Sequence, residues 1–472
     1  MSVETFHTEL LGQAGQADAE KRVRGCAHPV RLNGATTLVD TVSGEVLPVY
    51  ASADELDGVT YVRCGNRREA VCPSCSREYK HDAWHLLACG LQGGKGVPTS
   101  VSERPSTFVT LTAPSFGAVH GTRTKGLCRA RRSKHLCPHG RPTWCSRRHV
   151  PDDPSVGEPL CEQCYDYVAH VVWQFHANEL WRRFLIALQR HLAAASRTSV
   201  KEFSARCKVS FSKVVEFQSR GAVHVHSPMR LDGPDGPDGP PSDLSLTTAD
   251  LERAIHAAAA AVSMTSTPLA DGTVFRLCWG DQVDIRTIRD SANRDGAVRS
   301  GDVHPERVAA YLAKYLTKAT IDFGLQGTVR STAHAAAQGA SAHALRLVDV
   351  AERLGRTTPG YEKLIRHLGT LGYRGHPITK SRAYSVTFGQ IRRARRRYRT
   401  NPAGLAPDAD VRVVLDEAVP EGFVLVSSWV FDGLGYLDLE GSAAAVSSAC
   451  RARSRRVSSS SVPPSRPEKD ST

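Results

Sequence analysis

Hydrophobic and polar residues alternate along some stretches of the chain and recur at three- and four-residue spacing along others. Alternation predicts strands, because successive side chains of a strand point to opposite faces, and the longer spacing predicts helices. Strands are predicted at residues 108–112, 207–218 and 222–226, with one or two more in 273–288 and a final hairpin in 411–431. Helices are predicted at residues 165–196, 250–263, 304–320, 330–368 and 389–400. This order predicts an α+β fold, with helices packed on a central antiparallel sheet.

The segment EFQSRGAVHVH at residues 216–226 predicts a hairpin that carries two histidines. With a turn centred on Arg220, Glu216 lies opposite His224, and His226 points to the same face two residues further on. Two imidazoles and one carboxylate on one face predict a site for a divalent ion that activates a phosphate. A polar patch on a half-exposed sheet is the alternative interpretation.

The residues directly after these histidines, Ser227-Pro228-Met229, disturb the strand pattern. Proline cannot donate to a strand ladder, so the strand is expected to end early, to bulge or to lie at a sheet edge there. Both histidines precede the proline, so the predicted site is expected to be retained.

The helix predicted over residues 304–320 carries the motif YLAKYLTK. Tyr311 and Tyr315 are four residues apart and share a helical face, and Lys314 and Lys318 each follow a tyrosine by three residues. A phenol, with a pKa of about 10, is a weak nucleophile near neutral pH unless a nearby ammonium group favours the phenolate. The motif predicts a pair of nucleophiles; packed tyrosines with solvated lysines are the alternative.

Charge and composition restrict the partners. The 472 residues, 41% of them hydrophobic, suffice for two or three domains, and the net charge of +13 suits a polyanion such as nucleic acid. No apolar run reaches 18 residues, and the N-terminus has no signal-peptide pattern, so a cytoplasmic protein without a membrane partner is expected. The 13 cysteines are then expected to be thiols or metal ligands.

Most of the cysteines fall into two groups that also contain histidines. The candidate zinc ligands of the first group are Cys64, Cys72, Cys75, His85 and Cys89, with His81 also available. Those of the second group are Cys128, Cys137, Cys145, Cys161 and Cys164, with His135, His139 and His149 nearby. Structural Zn²⁺ is expected in both groups because these segments have few apolar residues, although unligated thiols are the alternative. The isolated cysteines are expected to be buried or surface thiols: Cys26, Cys207, Cys278 and Cys450.

Three further segments have distinct compositions. The helix at 389–400 carries the arginines expected to contact DNA phosphates: Arg392, Arg393, Arg395, Arg396, Arg397 and Arg399. The Gly/Pro-rich stretch at 232–243 is expected to be a flexible loop, and the Ser/Arg-rich tail at 441–472 is expected to be disordered.

Three motifs, FVTLTAPS beginning at Phe108, GAVHVH and YLAKYLTK, stand in the order of the motifs of HUH endonucleases. Over residues 64–399 the chain most closely resembles the RepSA-like plasmid replication initiators of high-GC actinobacteria. Further matching stretches are CPHG, PLCEQCYDY and the segment from Gly375 to Phe388. The resemblance implies an HUH core at 106–325 with a Cys/His-rich insert at 120–164. Before it lie a 1–60 segment and a zinc-binding 61–105 segment, and after it a basic, helical, DNA-binding region at 326–440.

The resemblance also implies a rolling-circle initiator. Such a protein binds the double-strand origin of a plasmid, exposes a single strand and nicks it, leaving a 5′-phosphotyrosine and a 3′-hydroxyl primer. Host helicase and replication proteins are the expected further partners.

Residue by residue, the resemblance makes His224 and His226 ligands of Mg²⁺ or Mn²⁺, with Glu216 as the third. Tyr311 and Tyr315 would serve initiation and termination, with Lys314 and Lys318 near the phosphate. A relaxase or transposase, or a non-catalytic zinc-dependent DNA-binding regulator, is the alternative. Relaxases place their tyrosine ahead of the histidines, whereas here the histidines come first, which favours an initiator. Oligomeric state and the order of the tyrosines stay open.

Overall fold

The structure is a computed structural model that forms two compact units, residues 1–82 with 389–472 and residues 83–388. It describes residues 23–55, 58–123, 126–131, 135–150, 152–289, 302–318, 323–325, 328–400, 409–414 and 420–437. The tail expected to be disordered lies outside the described residues. No helix of the described ranges is long and apolar enough to cross a membrane.

The first unit contains a sheet whose longest strands come from opposite ends of the chain. Strand β1 (Val30–Asp40) pairs antiparallel with β2 (Val46–Ala51), β3 (Thr60–Val62) and β11 (Phe423–Leu434). Helix α1 (Pro73–Gln92) begins in this unit, and nearly all of α8 (Phe388–Thr400) lies in it. The final hairpin predicted for 411–431 is wrong, because residues 411–414 are not a strand and β11 pairs with β1.

The second unit is organised around a five-stranded antiparallel sheet. Its strands, in spatial order, are β10 (Ile378–Lys380), β5 (Lys208–Phe217), β6 (Val223–Asp232), β4 (Ser106–Leu111) and β9 (Val283–Thr287). A separate ribbon consists of β7 (Ser263–Thr265) and β8 (Arg276–Cys278). The predicted α+β class, with an antiparallel sheet and helices, is confirmed.

The helices of the second unit supply the other half of its core. They are α2 (Tyr167–Ala195), α3 (Val200–Arg206), α4 (Thr248–Ala261), α5 (Pro305–Thr317), α6 (Thr332–Ala337) and α7 (Ala342–Thr357). The long helix α2 begins where the Asp166 side chain accepts a hydrogen bond from the Ala169 N–H, a standard N-cap. Its Trp173 and Phe184 are fully buried in the same apolar cluster as Val109 and Val225 of the sheet. Burial of this face of α2 holds the helix against the sheet that carries the candidate site.

Pro228 lies inside β6, which contradicts the expectation that the strand ends, bulges or lies at an edge there. Strand β6 is the middle strand of the sheet and continues to Asp232. On one side Pro228 is paired with Phe108 of β4. On the other side the β5 register is the same before and after the proline, but no pair forms directly across it. The missing N–H therefore interrupts one ladder locally without ending the strand.

The Gly/Pro-rich loop after β6 is held by a buried arginine. Arg104 forms a 2.6 Å ion pair with Asp232 and donates hydrogen bonds to the carbonyl oxygens of Gly236, Pro237 and Gly239. Because the guanidinium is buried, these carbonyls supply the hydrogen bonds that water would otherwise make. The loop expected to be flexible thus has defined anchor points.

Candidate active site and metal clusters

The histidine hairpin has the register that the sequence predicts, with Glu216 of β5 opposite His224 of β6. His226 Nε2 lies 2.8 Å from Glu216 Oε2, and His226 Nδ1 lies 2.9 Å from the hydroxyl of Thr110. A carboxylate only accepts, so in this arrangement Nε2 carries the proton and the Thr110 hydroxyl donates to Nδ1. The hairpin and β4 together fix the orientation of the His226 ring.

His224 is the second imidazole of this face. Its Nε2 atom is buried and makes no hydrogen bond to any described residue. Burial, with smaller contributions from the charges of His226 and Arg220, lowers the pKa of His224 to about 3. A neutral imidazole with an unused nitrogen is the form that binds a metal.

The three side chains fit a divalent ion by donor type. Two ligand atoms at about 2.1 Å from an octahedral ion are about 3 Å apart, close to the His226–Glu216 separation of 2.8 Å. His224, His226 and Glu216 do not, however, form a compact set of ligand atoms like the Cys/His clusters described below.

The two tyrosines of α5 face this histidine. Pro305 occupies the first turn of the helix, and buried residues such as Leu312 hold its apolar face against the unit. The His226 ring centroid is 5.5 Å from that of Tyr311 and 6.3 Å from that of Tyr315. The two phenol rings are 4.7 Å apart. Both candidate nucleophiles therefore lie beside the proposed ion ligands.

The cations near the tyrosines are not only the two lysines that the sequence motif indicated. Burial raises the pKa of Tyr311, and the nearby Glu216 and Tyr315 raise it further, whereas Arg286 opposes the shift. The ammonium of Lys314 lies 5.8 Å from the Tyr315 ring centroid, and Lys318 is the exposed residue directly after the last residue of α5. Lys314 is thus placed beside one tyrosine, and Arg286 is a second cation near the other.

Three residues of this face were missed by the sequence analysis as site residues. Thr110 contacts His226, and Phe108 stacks on the same ring with the ring centroids 5.8 Å apart. Arg286 of β9 is the strand partner of Phe108 of β4. The alternation in FVTLT places Phe108 and Thr110 on one face. The sequence contained no signal that β4 would lie next to the histidine strand.

Four cysteines of the first unit form one cluster: Cys26, Cys64, Cys72 and Cys75. The Cys26 sulfur lies 3.8 Å from that of Cys72 and 3.6 Å from that of Cys75. A tetrahedron with 2.3 Å zinc–sulfur bonds has edges of about 3.8 Å. Backbone N–H groups of Ala27 and Cys64 donate to two of the sulfurs, which stabilises thiolates.

This cluster corrects the predicted ligand set. Cys26, interpreted from the sequence as an isolated thiol, occupies the fourth position. Cys89 and His85 are not members of the cluster. Cys89 is buried instead, and burial raises the pKa of its thiol to about 11, as expected for a protonated core cysteine.

The second predicted group divides into two clusters, each with ligand atoms within 4.8 Å of one another. One consists of His120, Cys128, Cys145 and His149, and the other of Cys137, His139, Cys161 and Cys164. In the first, the His120 Nδ1 and His149 Nε2 atoms are 3.1 Å apart, and the opposite nitrogen of His149 lies 2.7 Å from Asp153. A carboxylate behind a ligating histidine is a common support of zinc sites. All three clusters can hold zinc.

The arginines of α8 are partly engaged with acidic residues of α1. Arg395 pairs with Glu78 at 2.9 Å and also with Asp82, and Arg392 lies 3.5 Å from Asp82. The Arg399 side chain lies outside the described residues. The DNA contact predicted for this helix stays a prediction.

Comparison with known proteins identifies the class as replication initiators. The chain is 36% identical over 424 residues to a replication initiator protein of Streptomyces ambofaciens, an alignment that covers 89% of this chain and 86% of the relative. The family described as "RepSA: Replication initiator protein, pSAM2" matches residues 14–449. The chain therefore belongs to the RepSA family of replication initiator proteins, as the motif resemblance implied. No solved structure matches it.

Proposed function

We propose that this initiator starts plasmid replication by nicking one strand of the origin with a tyrosine of α5, as HUH endonucleases do. The observation that carries the proposal is the placement of Tyr311 and Tyr315 beside His226, which in turn contacts Glu216. A helix with only a packing role would not need to place both phenols next to His226, the histidine that contacts both β5 and β4.

The reaction is a transesterification at a phosphodiester. A tyrosine Oη attacks phosphorus and forms the Oη–P bond, while the P–O3′ bond breaks and its electron pair stays on O3′. The phenolic proton leaves to solvent, and O3′ takes up a proton to become the free hydroxyl that primes synthesis. At termination the second tyrosine repeats the attack, which gives two neighbouring phenols a purpose.

A divalent ion, Mg²⁺ or Mn²⁺, held by His224, His226 and Glu216, would polarise the phosphate oxygen. The hydrogen bonds that His226 makes without the ion can rearrange when the ion binds. When Nε2 of His226 gives up its proton, Nδ1 must carry one instead, and the Thr110 hydroxyl can switch from donating to accepting. His224 is already neutral.

Structural zinc in the three Cys/His clusters is part of the same proposal. The mutual approach of the ligand atoms and the backbone N–H donors to sulfur support it. The partners are duplex and single-stranded origin DNA in the cytoplasm, together with host helicase and replication proteins.

Nicking is tested by incubating the protein with supercoiled plasmid carrying the origin and Mn²⁺, followed by protease treatment and gel electrophoresis. Open circles and a protein linked to a 5′ DNA end are expected. Replacing both nucleophiles, Tyr311→Phe with Tyr315→Phe, should lower the nicking rate by at least about 10³-fold because no other phenol lies beside His226 among the described residues. Tyr50→Phe, in the other unit, is the matched control and should nick normally.

His224→Ala separates catalysis from binding. Loss of nicking with origin binding intact is expected, because the substitution removes an ion ligand and no DNA contact. Duplex binding without any nick by the wild-type protein would favour the non-catalytic regulator and overturn the proposal.

A further inference from the structure

The segment Ala118–Tyr165, here called the twin-cluster insert, has a surface that the nicking chemistry does not use. We infer that this insert binds the phosphate backbone of duplex DNA through its arginines, and that its two Cys/His clusters fix the backbone positions of those arginines. The inference deepens the proposed function and rests on it for the identity of the polyanion.

The insert carries an excess of positive charge. From Ala118 to Tyr165 there are nine Arg and Lys residues against four Asp and Glu, and all nine precede the first acidic residue, Asp152. Zinc does not reverse this: a Zn²⁺ ion with two thiolates and two imidazoles is neutral, and one with three thiolates and one imidazole carries a single negative charge. Such a surface attracts a polyanion strongly.

Short nested hairpins place the arginines at the surface of the insert. Ala118 accepts a hydrogen bond from Leu160, Arg129 exchanges two with Cys145, and Cys137 donates one to Arg141. The arginines next to ligand residues are therefore fixed at the backbone while their side chains point to solvent. The exposed ones are Arg123, Arg129, Arg131, Arg141, Arg147 and Arg148.

Three of these arginines are available for a ligand. Arg129, Arg141 and Arg148 form no ion pair within the part of the chain that the structure describes, whereas Arg147 is paired with Asp153 at 3.2 Å. The basic helix α8 differs, since Arg392 and Arg395 already contact acidic side chains. The insert is thus the better phosphate-binding surface of the two.

The base of the insert adjoins the histidine hairpin. Gly157 lies so close to the turn that a side chain there would collide with the carbonyl of Ser219. Arg220 of the same turn donates to the carbonyl oxygens of Ala113 and Pro114, just before the insert. DNA held by the insert is therefore held next to the hairpin that carries His224 and His226.

The test measures DNA binding without cleavage. The zinc-loaded full chain carrying Tyr311→Phe and Tyr315→Phe, with no Mg²⁺ or Mn²⁺ added, is titrated by fluorescence anisotropy against a mixed-sequence duplex of about 30 base pairs and against its single strand. The test variant combines Arg129→Ala, Arg141→Ala and Arg148→Ala. The control combines Arg190→Ala, Arg353→Ala and Arg366→Ala, three exposed arginines of the same unit.

The insert variant should bind the duplex at least about tenfold more weakly and flatten the slope of log K against log salt by about 2.7, at 0.9 per phosphate contact. The control should change the affinity by less than about twofold. Metal analysis should give the same zinc content for both proteins, which shows that the insert has kept its structure. Equal losses in both variants, no loss in either, or a loss confined to the single strand would overturn the inference.

The two proposals fail separately. Insert-dependent binding by a wild-type protein that never nicks would remove the nuclease proposal alone. Nicking together with insert-independent binding would remove this inference alone.

Discussion

The five-stranded sheet and the twin-cluster insert belong to one compact unit but are held together by different means. Sheet residues such as Val109, Leu111 and Val225 are nearly inaccessible to solvent and pack in one apolar cluster with α2. In the insert, the described residues from His120 to Leu160 contribute nothing to that cluster. The buried side chains there belong to the two Cys/His clusters, namely Cys128, Cys145 and His149.

This difference shows how one chain positions two kinds of functional residue. Apolar burial holds the tyrosines and histidines of the sheet side within a few ångströms of one another. Metal ligands need only four side chains per site, which leaves the rest of the insert free to be polar. The two regions should therefore fail under different treatments.

Within the second unit, zinc removal should have the largest effect, and that effect should be confined to the insert. Structural zinc sites in small domains contribute about 10–16 kcal/mol of apparent binding free energy, which in the insert would take the place of an apolar core. After chelation, amides in 120–160 should lose protection in hydrogen-exchange mass spectrometry, while β5 and β6 keep theirs. Equal loss of protection in β5 and β6 would show that the two regions are not independent.

Truncating the sheet core should have the opposite result. Phe184→Ala removes a fully buried ring from α2 and should lower the free energy of unfolding by about 3–5 kcal/mol in urea titrations. The zinc content of the folded protein should stay unchanged. Leu127→Ala, which removes a side chain that is 39% exposed in the insert, is the control and should cost less than about 0.5 kcal/mol.

A buried charge makes the sheet region sensitive to alkaline pH. Burial lowers the pKa of Lys213 to about 8, although the ammonium is 2.8 Å from the Asn178 side-chain oxygen. Between pH 8 and 10.5 the unfolded chain binds more protons at this lysine than the folded one, so the lysine makes stability rise with pH by up to about 3 kcal/mol. Lys213→Met should remove that rise when unfolding curves are compared across this window. An unchanged pH dependence in the variant would contradict the assignment.

Thr110→Val should have the smallest effect of the four, and only on the ion site. It removes the hydroxyl that supports His226, which should weaken Mn²⁺ binding by about 10- to 100-fold in calorimetric titrations. Thr112→Val is the matched control, because its hydroxyl is buried and has no hydrogen-bond partner among the described residues. Similar losses in both variants would mean that Thr110 acts through packing and not through His226.

Local patterns were sufficient for most elements and for part of the site. The turn centred on Arg220 fixes the pairing of Glu216 with His224, because a short hairpin leaves little choice of register. The four-residue spacing of Tyr311 and Tyr315 places both phenols on the exposed face of α5 for the same local reason.

Contacts between distant segments were not predictable in this way. Cys26 joins cysteines that lie 38 or more residues further along the chain, and His120 joins His149, so ligand spacing alone assigned neither. At Pro228 the strand was expected to end early, to bulge or to lie at a sheet edge, whereas only one ladder is interrupted and the strand continues. The strand Phe423–Leu434 finds its partner almost 400 residues away.

The nested hairpins of the insert also set an order of events during synthesis. All eight Cys and His residues of its two clusters have left the ribosome once Cys164 has emerged, whereas Ile378 of the edge strand β10 follows 214 residues later. At about 5–20 residues per second, roughly ten to forty seconds separate the two events. For that interval the insert can load its metal and fold locally while the histidine hairpin still lacks its last neighbouring strand. The DNA-binding surface proposed for the insert can therefore form on the nascent chain before the five-stranded sheet is complete.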